Sequence, residues 1–195
     1  MLSDFTNKEL FHLAIDSANQ KRTDATLTYL KELVSREPNH NNALFLLGAT
    51  YATLGMFEEA VEHLEKTIKE KPDFFIARFQ LGLSLLALDS STEGCEQFDM
   101  ICGSDAPEFL KCFAEGLLYS QRNQKEKAIE ILERGIELEQ NNPISRDMEG
   151  VIDALKNMPE ESLSNTEQLS NKASSISDES DILSSSDFLL GAYKQ

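Results

Sequence analysis

The strongest constraint on the fold is an internal repeat of 34 residues. Stepping that distance from Gly48 reaches Gly82 and Gly116, and stepping from Ala60 reaches Gly94 and Ala128. Self-similarity at a fixed period of about 20–50 residues is the signature of stacked structural units. The chain is therefore predicted to form an array of similar units. Large residues that recur with the same period are Leu30, Leu64, Phe98 and Leu132, together with Tyr51, Leu85 and Tyr119.

Each unit is predicted to contain two helices joined by a tight turn. In the second unit, apolar residues recur every three or four positions over 44–51 and again over 60–68, which is the spacing of one helix face. Gly55 lies between the two stripes, and Asp89 and Asn123 take its place in later units. Glycine tolerates the positive φ that ends a helix. The pattern therefore predicts two antiparallel helices per unit.

Small residues recur inside both predicted helices of a unit. Gly48, Gly82 and Gly116 stand in the middle of the first helix, where a glycine costs about 1 kcal/mol relative to alanine. The small residues at 60, 94 and 128 are expected to lie opposite them in the second helix. This arrangement predicts close contact between the two helices.

This pattern resembles the tetratricopeptide repeat family, whose motif is a helix-turn-helix of 34 residues. The resemblance implies an all-α fold, a right-handed α-solenoid of about four repeats at about 7–40, 41–74, 75–108 and 109–142. The chain departs from the family's pattern because it contains no tryptophan. The matching residues are Leu47-Gly48, Tyr51, Ala60 and Pro72, then Leu81-Gly82 and Phe98, then Gly116, Tyr119 and Ala128.

The C-terminal part divides into two segments of different composition. Residues 145–158 have an apolar stripe and are predicted to form the capping helix that such arrays require, so the array spans 1–158. Residues 159–195 are acidic and rich in serine, which predicts disorder. An apolar cluster near the end is interpreted as a binding motif or a lid for the protein's own surface, or alternatively as a frayed terminus. The cluster consists of Phe188, Leu189, Leu190 and Tyr193.

Charge and hydropathy limit the classes of partner. The formal net charge is −16 and the pI is about 4.5, which opposes binding to nucleic acid or anionic lipid, because both require clustered basic residues. Acidity can instead serve solubility, and it permits a basic protein partner. No apolar run approaches the roughly 18 residues of a membrane span. The N-terminal residues lack a secretory signal, which predicts a cytoplasmic protein.

The residues indicate neither an enzyme nor a cofactor. The sequence has no glycine-rich phosphate loop, no H-E-x-x-H and no G-x-S-x-G, and its three histidines are widely spaced. Cys95, Cys102 and Cys112 form no C-x-x-C pair, so they are predicted to be small buried apolar residues rather than metal ligands.

The family resemblance also implies a candidate binding groove. In this family, places two, five, nine and twelve of the first helix face the concave surface, and phenylalanine takes the fifth place in all four repeats. The places hold too few basic residues, with only Lys8 and Asn42 suitable, for the clamp that binds chaperone carboxylates. Alternatively, the phenylalanines are core between repeats. The predicted groove comprises Phe11, Ile15, Phe45, Ala49, Ile76, Phe79, Leu83, Leu86, Leu110, Phe113 and Leu117.

The function predicted from these features is non-catalytic protein binding. An apolar groove suits a peptide or an amphipathic helix, which indicates an adaptor, an assembly factor or a chaperone-like scaffold. Two alternatives remain open at this point. One is a homo-oligomeric scaffold in which the groove of one copy receives a helix or the tail of another, and the other is a regulatory subunit of an enzyme complex.

Overall fold

The structure is a computed structural model, and it describes residues 2–158; the predictions for 159–195 lie outside that range. After a short 3-10 turn at Leu2–Asp4, the described residues form nine α-helices that pack in sequential pairs. The helices are α1 (Asn7–Asn19), α2 (Thr23–Arg36), α3 (Asn41–Thr53), α4 (Phe57–Glu70), α5 (Phe75–Ala87), α6 (Ser91–Cys102), α7 (Glu108–Gln121), α8 (Lys125–Leu138) and α9 (Pro143–Asn157).

The 34-residue period is visible in the helix boundaries. The second helices of the four repeats begin at 23, 57, 91 and 125, and the first three first helices begin at 7, 41 and 75. α7 begins one residue early, at Glu108, with Pro107 in extended conformation at its N-cap. α9 begins at Pro143 rather than at the predicted residue 145, because Asn142 caps its first turn and proline suits the first helical position.

The turns inside the four repeats share one backbone geometry. Lys21, Asp89 and Asn123 have φ of 55–58°, and Gly55 has φ of 73°. At each turn the following amide donates to the carbonyl five residues back, with N···O distances of 2.9–3.0 Å. This is the hydrogen bond that satisfies the last carbonyls of a helix. The turn prediction is therefore confirmed. Lys21 takes the same positive φ in the turn of the first repeat.

The two helices of a repeat approach closely at the glycines, as predicted. A Cβ at Gly48 would lie 2.8 Å from Leu64 Cγ and 3.2 Å from the Ala60 carbonyl oxygen. A Cβ at Gly116 would lie 2.6 Å from Leu132 Cγ. Real Cβ atoms do not approach carbon atoms this closely, so glycine permits the observed separation of the helices.

The core of the described residues consists of two apolar clusters that meet at α5. The N-terminal cluster includes Leu10, Leu30, Leu47 and Leu64 and receives Ala77 and Leu81 from α5. The C-terminal cluster joins the opposite stripe of α5 to α6–α9. Because residues four apart share a helix face, α5 has two buried stripes. Two-sided burial of this helix links the halves of the array. The stripe in the C-terminal cluster consists of Phe79, Leu83 and Leu86.

Candidate functional site

The structure divides the predicted groove residues into two groups. Those of the third and fourth repeats, apart from Ile76, lie inside the C-terminal core cluster and are 0–4% exposed. They offer no surface to a partner, so the prediction that these six residues line the groove is corrected: their side chains are packed in the core. The buried residues are Phe79, Leu83, Leu86, Leu110, Phe113 and Leu117.

The predicted groove residues of the first two repeats keep exposed surface. Phe11, Phe45 and Ala49 are half-buried, and Ile15 is 37% exposed. Since residues three and four apart share a helix face, Phe11 and Ile15 lie on one face of α1. Phe45 and Ala49 lie on the equivalent face of α3. These four residues retain the surface that a binding site requires.

Two aromatic residues that the sequence analysis did not select complete this surface. The ring of Phe11 packs against His40 with centroids 5.0 Å apart, and the ring of Phe45 packs against Phe74 at 4.7 Å. His40 and Phe74 are half-buried and directly precede α3 and α5. Their own spacing of 34 residues was the signal that could have identified them. We call Phe11, His40, Phe45 and Phe74 the aromatic strip.

The strip is held in place by local hydrogen bonds and packing. His40 is the N-cap of α3, and its Nδ1 accepts a hydrogen bond from the Ala43 amide at 3.1 Å. Lys71 Nζ lies 5.2 Å from the centre of the Phe74 ring, within the range of a cation–π contact. An open cleft of about 400 Å³ lined by Glu37, Pro38, Asn39 and His40 adjoins the strip.

The facing second helix explains why Phe113 is buried while Phe11 is not. A Cβ at Gly135 would lie 2.5 Å from Phe113 Cε1, so the ring occupies space that glycine leaves free. The first two repeats have Leu33 and Thr67 at the equivalent place, and both are fully buried. With that space already filled, Phe11 packs instead against His40, the last residue of its own repeat.

Phe79 is buried by a different substitution in the second helix. Its ring packs against Phe98, with centroids 5.6 Å apart, where the other repeats have Leu30, Leu64 and Leu132. Both phenylalanines are 0% exposed. The third repeat therefore places both rings in its own core.

Charge is distributed unevenly between the two sets of helices. The first helices, α1, α3, α5 and α7, carry three basic and four acidic residues. The second helices, α2, α4, α6 and α8, carry seven basic and fourteen acidic residues. α3 has no charged residue at all. The strip therefore lies on the nearly neutral set of helices in a strongly acidic chain.

The titratable groups of the described helices show no arrangement for catalysis. Burial raises the pKa of Cys95 and Cys112 and raises the pKa of Cys102 to about 11, which keeps these thiols protonated and weakly nucleophilic. Within residues 2–158, no three His, Cys, Asp or Glu side chains are placed to hold a metal ion. None of the nine described helices is long and apolar enough to cross a membrane.

Comparison with known proteins identifies the repeat. Two family models described as tetratricopeptide repeat match residues 18–86 and 112–142. The chain belongs to the tetratricopeptide repeat family. Proteins with this repeat generally mediate protein–protein interactions and are usually non-catalytic. No curated protein matches the sequence.

Several solved structures share the fold at low sequence identity. A thermophilic tetratricopeptide repeat protein from Thermus thermophilus is 18% identical, with a TM-score of 0.64 over 78% of this chain and 84% of that one. MamA from Desulfovibrio magneticus is 23% identical, with a TM-score of 0.58 over 77% of this chain and 85% of that one. A tetratricopeptide repeat protein from Parabacteroides merdae is 17% identical, with a TM-score of 0.62 over 77% of this chain and 59% of that one.

Proposed function

We propose that the protein is a non-catalytic adaptor or assembly factor that binds an apolar peptide, or the apolar face of an amphipathic helix, on the aromatic strip. One observation carries the proposal. Four half-buried rings form two tilted pairs in adjacent repeats, on or directly before helices that are almost free of net charge. Apolar anchors lying in such a surface are the usual way in which a helix or peptide is recognised.

The strip can supply a useful binding energy. An aromatic side chain buries roughly 150–250 Å² in full, so a ring that is about one-third exposed retains at most roughly 50–90 Å² that a partner can cover. At about 25 cal/mol per Å², each ring contributes at most about 2 kcal/mol. Part of this energy offsets the entropy that is lost when the side chains and the partner become ordered on binding. Truncating one ring is therefore expected to weaken binding by about 1–2 kcal/mol, or roughly 5- to 30-fold.

Affinity capture with matched variants tests this function. The baits are the intact chain, Phe11→Ala, Phe45→Ala and Leu138→Ala, the last of which removes a side chain that is 53% exposed on a second helix. Circular dichroism confirms that each bait retains its helices. Proteins recovered by the intact chain and by Leu138→Ala, but lost from both phenylalanine variants, support the proposal. Equal recovery by all four baits contradicts it.

A further inference from the structure

The strip lies within reach of residues 188–193 of the same chain. α9 takes the first-helix place of a fifth repeat, three repeats beyond α3 and four beyond α1. With packed helices 8–10 Å apart, these steps correspond to roughly 30–40 Å. The 29 residues of 159–187 can span at most about 100 Å when fully extended. Residues 188–193 can therefore reach the strip.

The composition of the C-terminal segment matches the strip and its surroundings. Phe188 and Tyr193 supply two rings, and Leu189 and Leu190 supply aliphatic surface. The connecting residues 159–187 contain seven acidic residues and one basic residue. They are repelled by the acidic second helices and much less by the nearly neutral first helices. Charge thus favours a path along the face that carries the strip.

We propose that Phe188, Leu189, Leu190 and Tyr193 occupy the aromatic strip of their own molecule and that an external partner must displace them. The proposal rests on the proposed function of the strip as a docking surface and names its resident occupant. A tether of this length gives an effective concentration near the millimolar range. The same segment of a second copy competes only at its bulk concentration, so occupancy within one molecule is favoured.

The expected consequence is a weaker affinity for any external ligand. A segment that binds the strip with a dissociation constant near 0.1 mM, at an effective concentration of about 1 mM, reduces the apparent affinity of a competitor about tenfold. The reduction should disappear when the terminal segment loses its apolar residues, because nothing then competes for the rings.

A single introduced tryptophan reports whether the strip is covered, since the chain has none of its own. Phe45→Trp places the reporter in the strip, and Phe109→Trp is the matched control, because Phe109 is also half-buried but lies in the fourth repeat. Each reporter is measured in the full chain with and without Phe188→Ser and Leu190→Ser. The readouts are emission wavelength and acrylamide quenching across a wide range of protein concentration.

The tail substitutions are expected to shift the emission of the Phe45→Trp reporter to longer wavelength and to increase its quenching, with no change at Phe109→Trp. An added synthetic peptide of residues 184–195 should reverse the shift in the tail variant, and about tenfold more of it should be needed to reach the strip of a chain with its tail intact. No response of the Phe45→Trp reporter to the tail substitutions overturns the proposal. A response that vanishes on dilution also overturns it and assigns the segment to a second copy. In either case, the capture experiment still decides independently whether the strip binds other proteins.

Discussion

Replacing Gly82 by alanine is expected to destabilise the array, because α5 and α6 approach each other most tightly there. A Cβ at residue 82 would lie 2.6 Å from Phe98 Cε1 and 2.8 Å from its Cζ. Phe98 is 0% exposed and packs against Phe79, so its ring has no free direction in which to move. The Gly82 carbonyl oxygen in turn lies 3.0 Å from the position of a Cβ at Gly94.

Two opposing effects determine the size of the change. Alanine in place of glycine in a helix interior gains about 1 kcal/mol of intrinsic helix stability. Inserting a methyl group into a packed core typically costs about 1–3 kcal/mol. Since the contact is with a rigid ring that is closed in on all sides, we expect the upper part of this range. The net loss of unfolding free energy should therefore be about 1–2 kcal/mol.

Urea unfolding followed by circular dichroism measures this loss, and the chain provides a control with the same substitution. Gly150 lies inside α9, and a Cβ there would meet nothing within 4 Å. Gly150→Ala should therefore stabilise the protein by about 0.5–1 kcal/mol. In a Phe98→Ala background the ring is absent, and Gly82→Ala should then increase the unfolding free energy instead of lowering it.

The double-mutant cycle separates the contact from any general effect of the substitution. A coupling energy of about 2–3 kcal/mol between residues 82 and 98 is expected, because a loss of about 1–2 kcal/mol becomes a gain of about 1 kcal/mol when the ring is removed. If Gly82→Ala is as stable as the unmodified chain, or if its cost persists without the Phe98 ring, the argument that glycine is required for helix approach is refuted.

Three further predictions concern a turn, a cap and a thiol. Lys21→Gly should stabilise the protein by about 1 kcal/mol, because glycine adopts the positive φ of that turn without steric cost, and Gly55→Lys should have the opposite effect in the same urea assay. Asn142→Ala should cost about 1 kcal/mol by removing the 3.0 Å cap to the Ile144 amide, which thermal unfolding would show. Cys102, with its pKa raised to about 11, should react at about pH 8 roughly a hundredfold more slowly than free cysteine; the rate should rise with pH toward 11, and a fast reaction in the folded state would contradict the burial of this thiol.

The helices and turns were predictable from the sequence because their determinants are local. Apolar spacing, the small residue in each helix and the residue at each turn all recur every 34 positions, so the copies of the signal reinforce one another. The positive φ at Asp89 and Asn123 follows from their alignment with Gly55.

The different burial of the four phenylalanines at the fifth place of the repeats was not predictable from spacing alone. All four rings occupy the same place in their repeats, yet Phe79 and Phe113 are fully buried while Phe11 and Phe45 are not. The difference depends on the facing residue of the second helix, some 19–22 positions later in the chain. Phe98 and Gly135 are both exceptions to the pattern of their own places, and these exceptions were the available signal.

This dependence explains how one repeated residue can have two roles. When the second helix leaves space, as at Gly135, the ring enters the core and strengthens its own repeat. When the space is filled, as at Leu33, the ring instead meets the aromatic residue directly before the next repeat and keeps part of its surface. Because stability in such arrays comes from each repeat and its nearest neighbours, the buried rings of the third and fourth repeats can stabilise the C-terminal half. The first two repeats thereby keep exposed aromatic surface.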